Sequence, residues 1–307
     1  MLAVRKWAEL MHSPAQRATF AQLADRYEAE VLPTLAKNTQ YTQRSDIKKL
    51  RQFFCSPVPA PLDEIRPMHV AQLLQWKKDT PTTANRLKRV LSAMWGRARG
   101  WGYTDRENPC DGINGLPEGR RDYDVQDHIY QAIWQAACQP LRDAMDLAYL
   151  TGQRPGDTIN MTEHDIADGM LAVRQHKTKA RLRVRIEGQL AALLERIDKR
   201  KRQAKVWHAA LIVDERGMAI SLKTLQRRYA KARAAAAQAH PQYAEQIRAM
   251  WFYDLRAKAA DDTAEQADEQ AAAALLGHAS VSTTKKHYLR RGKIVSPVSA
   301  PQKAREQ

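Results

Sequence analysis

The apolar residues of this chain recur at three- and four-residue intervals, the spacing that lays one stripe along a helix. Phe20, Leu23, Ala24, Tyr27 and Val31 form the first such series, and Pro33 stops it. Asn38 or Thr39 offers a cap for a second helix through Ile47, Leu50, Phe53 and Phe54. After the Pro-rich loop SPVPAP (residues 56–61), Pro67 opens a helix carrying Val70, Leu73, Leu74 and Trp76. Pro81 or Thr82 opens another, with Leu87, Val90, Leu91, Met94 and Trp95, ending near Gly100. Four such helices predict a small all-α domain over residues 19–107, preceded by an amphipathic lead segment, residues 1–18.

Residues 108–122, NPCDGINGLPEGRRD, hold two Pro and three Gly and lose the helical period, which predicts an interdomain linker. Helical patterns resume at 125–138 and 141–150, and TGQRPGD (151–157) turns tightly into a helix beginning near Pro155. Residues 170–174 and 181–186 alternate with a period of two, like paired strands joined by a basic hairpin, QHKTKA. Further helices are predicted at 189–202, 222–239 and 263–276, with a short strand at 211–213. The second domain, residues 123–290, is therefore mostly helical with one small antiparallel sheet, and the whole chain is mainly α within the α+β class. Residues 291–307 form a Pro-punctuated basic tail.

Charge narrows the function. The 307 residues include 50 Lys and Arg against 34 Asp and Glu, a net +16, which points to a polyanionic partner. The excess lies in both halves: 18 basic against 11 acidic residues through Gly115, and 32 against 23 after it. Two predicted helices carry basic clusters on their polar faces, Arg44, Lys48, Lys49 and Arg51 on one, Arg86, Lys88, Arg89, Arg97 and Arg99 on the other. Either cluster alone reads as a solvated face. Together, on a basic chain, they mark DNA-backbone contacts, with Arg44, Lys48, Lys49, Arg86, Lys88 and Arg89 as the DNA-binding candidates.

Cys55, Cys110 and Cys138 are odd in number and widely spaced, so they read as free thiols rather than a disulfide framework or a metal site. No apolar run approaches the length of a membrane span, and the N-terminus lacks a signal-peptide core. A cytoplasmic protein without a membrane partner is expected. No P-loop or metal-ligand cluster appears, so no cofactor is expected.

TGQRPGD, then FYDLRAK, then LLGH followed by a tyrosine at Tyr288 stand in one order across about 135 residues. With the stretch PTTANRLKRVLSAMWGRARGWGYTDRENPC, they resemble the tyrosine recombinases, specifically the phage integrases, from Phe20 onward. The resemblance implies a helical, SAM-like core-binding domain and a catalytic domain. It implies cleavage of one DNA strand at a time, a tyrosine joined to the 3′-phosphate and a 5′-hydroxyl released, without ATP or metal. It also implies a homo-tetramer on paired double-stranded attachment sites in a bacterial host, associated with its nucleoid. Accessory DNA-bending or directionality proteins are implied partners. The stretch before Phe20 is too short for the arm-type DNA-binding domain of many integrases, so simple sites or a missing arm-binding region are expected.

The residue chemistry runs beside the resemblance. In-line attack on phosphorus builds negative charge that planar guanidinium forks match bidentately. Arg154 and Arg256 fit those clamps, although either alone reads as a surface salt bridge. On the hairpin, the resemblance makes Lys177 the acid that protonates the departing 5′-oxygen, with Lys179 as rival and otherwise a phosphate contact. His278 would donate to a non-bridging oxygen. Asp157 would fix the turn beside Arg154, or simply complement a helix N-terminus.

Tyr288 is the expected nucleophile, while Tyr229, Tyr243 and Tyr253 would ordinarily be packing. Two departures from the family pattern stand out. His278 and Tyr288 are ten residues apart rather than nine, with His287 in the ninth place. The second arginine motif, usually His-x-x-Arg, reads Tyr253-Asp254-Leu255-Arg256. A neutral phenol is a poor base, so Tyr253 stands where a proton acceptor is expected, and His287 or the phosphate becomes an alternative acceptor. These departures motivate a second reading, a sequence-specific DNA-binding protein with impaired catalysis. A third, a type IB topoisomerase-like relaxer, shares the chemistry without needing the tetramer. In relatives a tail like residues 291–307 docks on the neighbouring protomer; a disordered basic tail is the alternative.

Overall fold

A computed structural model describes residues 18–292 and Pro297. Nearly all of the expected lead segment and of the expected tail therefore lie outside the described residues. The chain divides into two compact units, one through Gly119 and one from Arg120.

The first unit is helical. Helix α1 (Phe20–Arg26) starts at Thr19, whose hydroxyl accepts the Gln22 N–H while the Gln22 side chain accepts the Thr19 N–H, a reciprocal cap. It runs on through a π-turn (Tyr27–Val31) and a 3-10 turn (Leu32–Thr34) containing Pro33. Helix α2 (Lys37–Phe54) begins at Ala36, so Asn38 and Thr39 lie within its first turn instead of capping it. Gln40 reaches back to the Leu35 carbonyl at 2.8 Å and ties the approach segment to that turn. Helices α3 (Pro67–Trp76) and α4 (Pro81–Gly100) complete the unit. Their apolar stripes meet in one core of Phe20, Leu23, Leu50, Leu73, Leu87 and Trp95.

Two features differ from the sequence expectation. Most of the predicted linker packs onto this unit. Cys110 is buried in its core, and the Asn85 amide pairs with both the N–H and the carbonyl of Leu116, each at 2.8 Å. Gly115 allows that clamp, since a Cβ there would sit 2.7 Å from Asn85 Oδ1. The two basic faces also divide. Arg44, Lys48 and Arg89 are exposed, whereas Arg86 grips the fully buried Asp46 with two hydrogen bonds at 2.7 and 2.9 Å. Lys88 donates to the Ile113 carbonyl, and Lys49 lies 3.1 Å from Ser45 Oγ.

The second unit opens with α5 (Asp127–Ala136), α6 (Gln139–Thr151) and the short α7 (Pro155–Ile159). A three-stranded antiparallel sheet follows, β1 (Ile166–Ala167), β2 (Met170–Arg174) and β3 (Arg181–Arg185), in the order β1-β2-β3. Leu171 and Val173 face the core, and Arg174 pairs with Arg181 next to the hairpin. Helices α8 (Gly188–Gln203), α9 (Leu222–Ala239), α10 (Ala244–Ala249), α11 (Asp254–Gln266), α12 (Glu269–Leu276) and α13 (Val281–His287) complete it.

Here too the chain departs from its pattern. Residues 211–213 make only an isolated bridge, Val213 to Ala219, and form no strand. The helix predicted over 263–276 is two helices broken at Ala267, because Asp268 caps the second by accepting the Ala271 N–H at 2.6 Å. Alanine suits either side of the break, which hides it from periodicity. Strand β1 and helices α10 and α13 are too short to announce themselves in a residue pattern.

Candidate active site

The site grows from the end of α6. Thr151-Gly152-Gln153 leaves that helix, and Arg154 stands at the N-terminal boundary of α7, where Pro155 supplies the fixed φ of a first helical position. Arg154 Nη1 donates to Gln175 Oε1 at 2.9 Å, and Asp157 lies 3.8 Å from the same nitrogen. The other Asp157 oxygen accepts the His176 N–H at 2.8 Å, so this carboxylate pins the hairpin to the arginine turn.

Gln175 is the hub, and sequence reasoning missed it. Fully buried at the start of the hairpin, it receives Arg154 and the Thr178 hydroxyl on its oxygen. It donates to Gln153 Oε1 and the Leu276 carbonyl, both at 2.8 Å. Its one signal in the sequence is a polar residue where the strand alternation ends. Lys177 and Lys179 are exposed on the hairpin, and Lys179 adopts a positive φ of 60°.

Arg256, in the first turn of α11, is 1% exposed. It donates to the Gly152 carbonyl at 2.6 Å and to the Leu276 carbonyl at 2.7 Å. Burial and the neighbouring Arg154 charge push its pKa down, and its Nε–H has no partner among the described residues. A buried unpaired donor is costly, which marks a place prepared for an acceptor.

His278 follows the left-handed Gly277 (φ 64°) that ends α12, and a Cβ at Gly277 would meet Gln175 Nε2 at 2.9 Å. Its Nε2 lies 3.1 Å from Arg256 Nη2 and its Nδ1 2.8 Å from Thr284 Oγ1. A guanidinium only donates, so Nε2 accepts and Nδ1 carries the proton. Burial, with Arg256 and Arg154 nearby, holds His278 down at about 4, neutral at pH 7. The expected donation from His278 to a phosphate oxygen therefore requires the proton to move to Nε2. His287 is exposed at the end of α13.

Tyr288 sits at the C-terminal boundary of α13, 7% exposed, its ring packed on Ala257, Ala260, Ala272 and Leu276. These alanines let α11 and α12 lie close and leave room for the ring. The Arg256 guanidinium lies 5.2 Å from the ring centre. The Tyr288 hydroxyl is hydrogen-bonded to that of Tyr253, which precedes α11. Burial raises the pKa of Tyr288, but the Tyr253 hydrogen bond and the Arg256 charge outweigh it and hold it below the ordinary tyrosine value. Burial and the same hydrogen bond push Tyr253 up to about 12. Tyr288 is therefore the first of the two to lose its proton, and Tyr253, which keeps its own, can then donate to the phenolate. Tyr229, by contrast, is core, and Tyr243 stands apart, its ring against His128.

The chain beyond Tyr288 is held in place. Arg290 bonds the buried Asp254 at 2.7 Å and the Tyr123 carbonyl at 2.9 Å, while its N–H reaches Asp261 at 2.9 Å. Asp254 is the neighbour of Tyr253, so one carboxylate fixes the approach to both tyrosines. Arg154, Arg256, His278, Tyr288 and Tyr253 form one connected cluster, while Lys177 stands at the exposed hairpin tip and His287 lies outside it.

Among the described residues, no group of three His, Cys, Asp or Glu side chains is placed to hold a metal, and no helix is long and apolar enough to cross a membrane. Residues 124–293 match the phage integrase family. The integrase of Escherichia phage lambda is 28% identical over 283 residues, covering 88% of this chain and 75% of that protein. The integrase of Escherichia phage HK022 is 32% identical over 170 residues, 53% of this chain and 46% of its own. Among solved structures, a lambda integrase tetramer bound to a Holliday junction aligns with a TM-score of 0.76 and 25% identity, covering 97% of this chain and 88% of that one. The Tn1549 transposon integrase, in complex with transposon right end DNA, is 15% identical and shares the fold at a TM-score of 0.73, over 90% of this chain and 96% of its own. With its matched segment spanning the whole tyrosine cluster, the chain belongs to the phage integrase family and is a tyrosine-type site-specific recombinase.

Proposed function

We propose that the protein integrates or excises a phage or other mobile element, cleaving each strand of double-stranded DNA through a 3′-phosphotyrosine. The observation that carries this reading is the hydrogen bond between Tyr288 and Tyr253 beside the buried Arg256. Arg154 and Arg256 bind the non-bridging oxygens, and the unpartnered Arg256 Nε–H has its acceptor there. Tyr288 gives up its proton to solvent or to the phosphate and attacks phosphorus. The new bond joins the Tyr288 oxygen to phosphorus, and the bond to the 5′-oxygen breaks. Lys177, brought in by the hairpin, protonates that oxygen. Tyr253 donates to the Tyr288 oxygen instead of accepting its proton, replacing general-base help with stabilisation of the phenolate.

Assembly as a tetramer on paired sites follows by analogy with the lambda integrase tetramer on a Holliday junction. Exposed Arg44, Lys48 and Arg89 supply backbone contacts from the first unit, and Lys179 from the hairpin. The test is a duplex carrying the element's boundary sequence, nicked just beyond the cleavage point so that the 5′-hydroxyl fragment diffuses away. A denaturant-resistant protein–DNA adduct with the natural protein, abolished by Tyr288→Phe, is expected. DNA retarded without any adduct would replace this reading with DNA binding alone.

A further inference from the structure

The sheet carries a charge pattern that neither the core nor the tyrosine cluster uses. Antiparallel partners share a face, so Met170 with Arg185, Ala172 with Arg183, and Arg174 with Arg181 project together on the side away from Leu171 and Val173. All four arginines are exposed. None makes an ion pair within 4 Å among the described residues. From Gly169 to Ile186 the chain holds six Lys or Arg and no Asp or Glu.

Folding alone does not explain this face. Like charges directly opposed across two strands are destabilising, and Arg174 faces Arg181 at such a position. Arg181, Arg183 and Arg185 repeat every second residue, a straight row spanning about 13 Å at the ~3.4 Å rise of an antiparallel strand. One strand of B-form DNA advances ~3.4 Å per phosphate along its axis, so a row of this length runs beside several phosphates. The row is continuous with the hairpin that bears Lys177 and Lys179, the segment that meets DNA in the function proposed above.

We propose that the outer face of β2 and β3, through Arg174, Arg181, Arg183 and Arg185, is a second track for the phosphate backbone of the bound duplex, extending the grip of the hairpin along it. The proposal rests on the DNA-cleaving reading but uses none of the residues of the tyrosine cluster. Contacts of this kind are independent of sequence, so any duplex reports them.

The experiment is the salt dependence of binding to a duplex of arbitrary sequence, for the natural chain and for a combined Arg181→Gln, Arg183→Gln, Arg185→Gln variant. The log–log slope is expected to become shallower by up to about three, roughly one for each phosphate that is no longer neutralised. Replacing the same arginines by lysine keeps the charge and is expected to keep most of the slope. Thermal melting of each variant shows whether the sheet is intact. If the triple glutamine variant melts abnormally, the single Arg183→Gln change is used, and the slope should then fall by about one.

An unchanged slope in a folded variant overturns the proposal. So does an unchanged slope accompanied by loss of protein self-association, which would assign the row to an acidic face of a neighbouring copy. If the natural chain itself shows no salt dependence, the DNA reading fails instead, and the two failures are told apart.

Discussion

The hydroxyls of Tyr253 and Tyr288 share one hydrogen bond, and their acidities are pulled in opposite directions, Tyr253 up and Tyr288 down. In the function proposed above, Tyr288 becomes the phenolate and Tyr253, which keeps its proton, donates to it. A hydrogen bond to a charged group is worth about 1.5–3 kcal/mol. Tyr253→Phe is expected to slow cleavage about 10- to 100-fold near pH 7, and to move the rise in rate towards higher pH as Tyr288 becomes less acidic. A Tyr253→Phe variant with the natural rate and pH profile would remove Tyr253 from the chemistry.

His278 is held neutral, its pKa lowered from 6.5 to about 4. The folded protein resists protonation that the unfolded chain accepts, so this histidine's contribution to stability is complete above about pH 6.5 and is lost as pH falls towards about 4. The stability difference between the natural chain and His278→Gln, measured by denaturant unfolding, should shrink over that interval. A difference that stays constant with pH would mean that His278 titrates normally.

Lys177 stands on the hairpin tip, free of ion pairs among the described residues. The proposed role of proton donor to the leaving 5′-oxygen predicts that replacing Lys177 by alanine slows cleavage about 10²- to 10⁴-fold. A substrate with sulfur in place of that bridging oxygen needs no proton to depart, so it should restore the rate of Lys177→Ala. Lys179→Ala should weaken binding without any such rescue. Equal rescue of both variants would leave the acid unassigned between them.

Arg86 is committed to Asp46, which is fully buried, and this commitment separates it from its neighbour Arg89. Removing one partner of a buried pair leaves the other uncompensated. Because Arg86 is 34% exposed and Lys49 lies 3.9 Å from the same carboxylate, the expected cost of Arg86→Gln is about 3 kcal/mol, the low end for such pairs. The melting temperature of the first unit should fall, with little change in the salt slope of DNA binding. Arg89→Gln should do the reverse. A stable Arg86→Gln protein with a shallower salt slope would return Arg86 to the DNA contacts.

Much was legible along the chain because it depends on neighbours three, four or two positions apart. The core stripes of α2, α3 and α4, the pairing of residues 170–174 with 181–185, and the order of the Arg154, Arg256, His278 and Tyr288 motifs are local facts. A periodic pattern states them without any fold. Tyr253 in place of histidine was visible too, but only as an anomaly.

Tertiary structure decided which atoms meet. Gln175 draws Arg154, Gln153 and Leu276 together across 21, 22 and 101 residues. No spacing rule reaches that far. The division of the basic faces was equally hidden, since Arg86 and Arg89 look alike until Asp46 is buried beneath one of them. The opposed acidities of Tyr253 and Tyr288 and the proton position on His278 belong to the same class. Both follow from burial and from the fixed charge of Arg256, and a low-dielectric pocket exists only once the chain has closed around it.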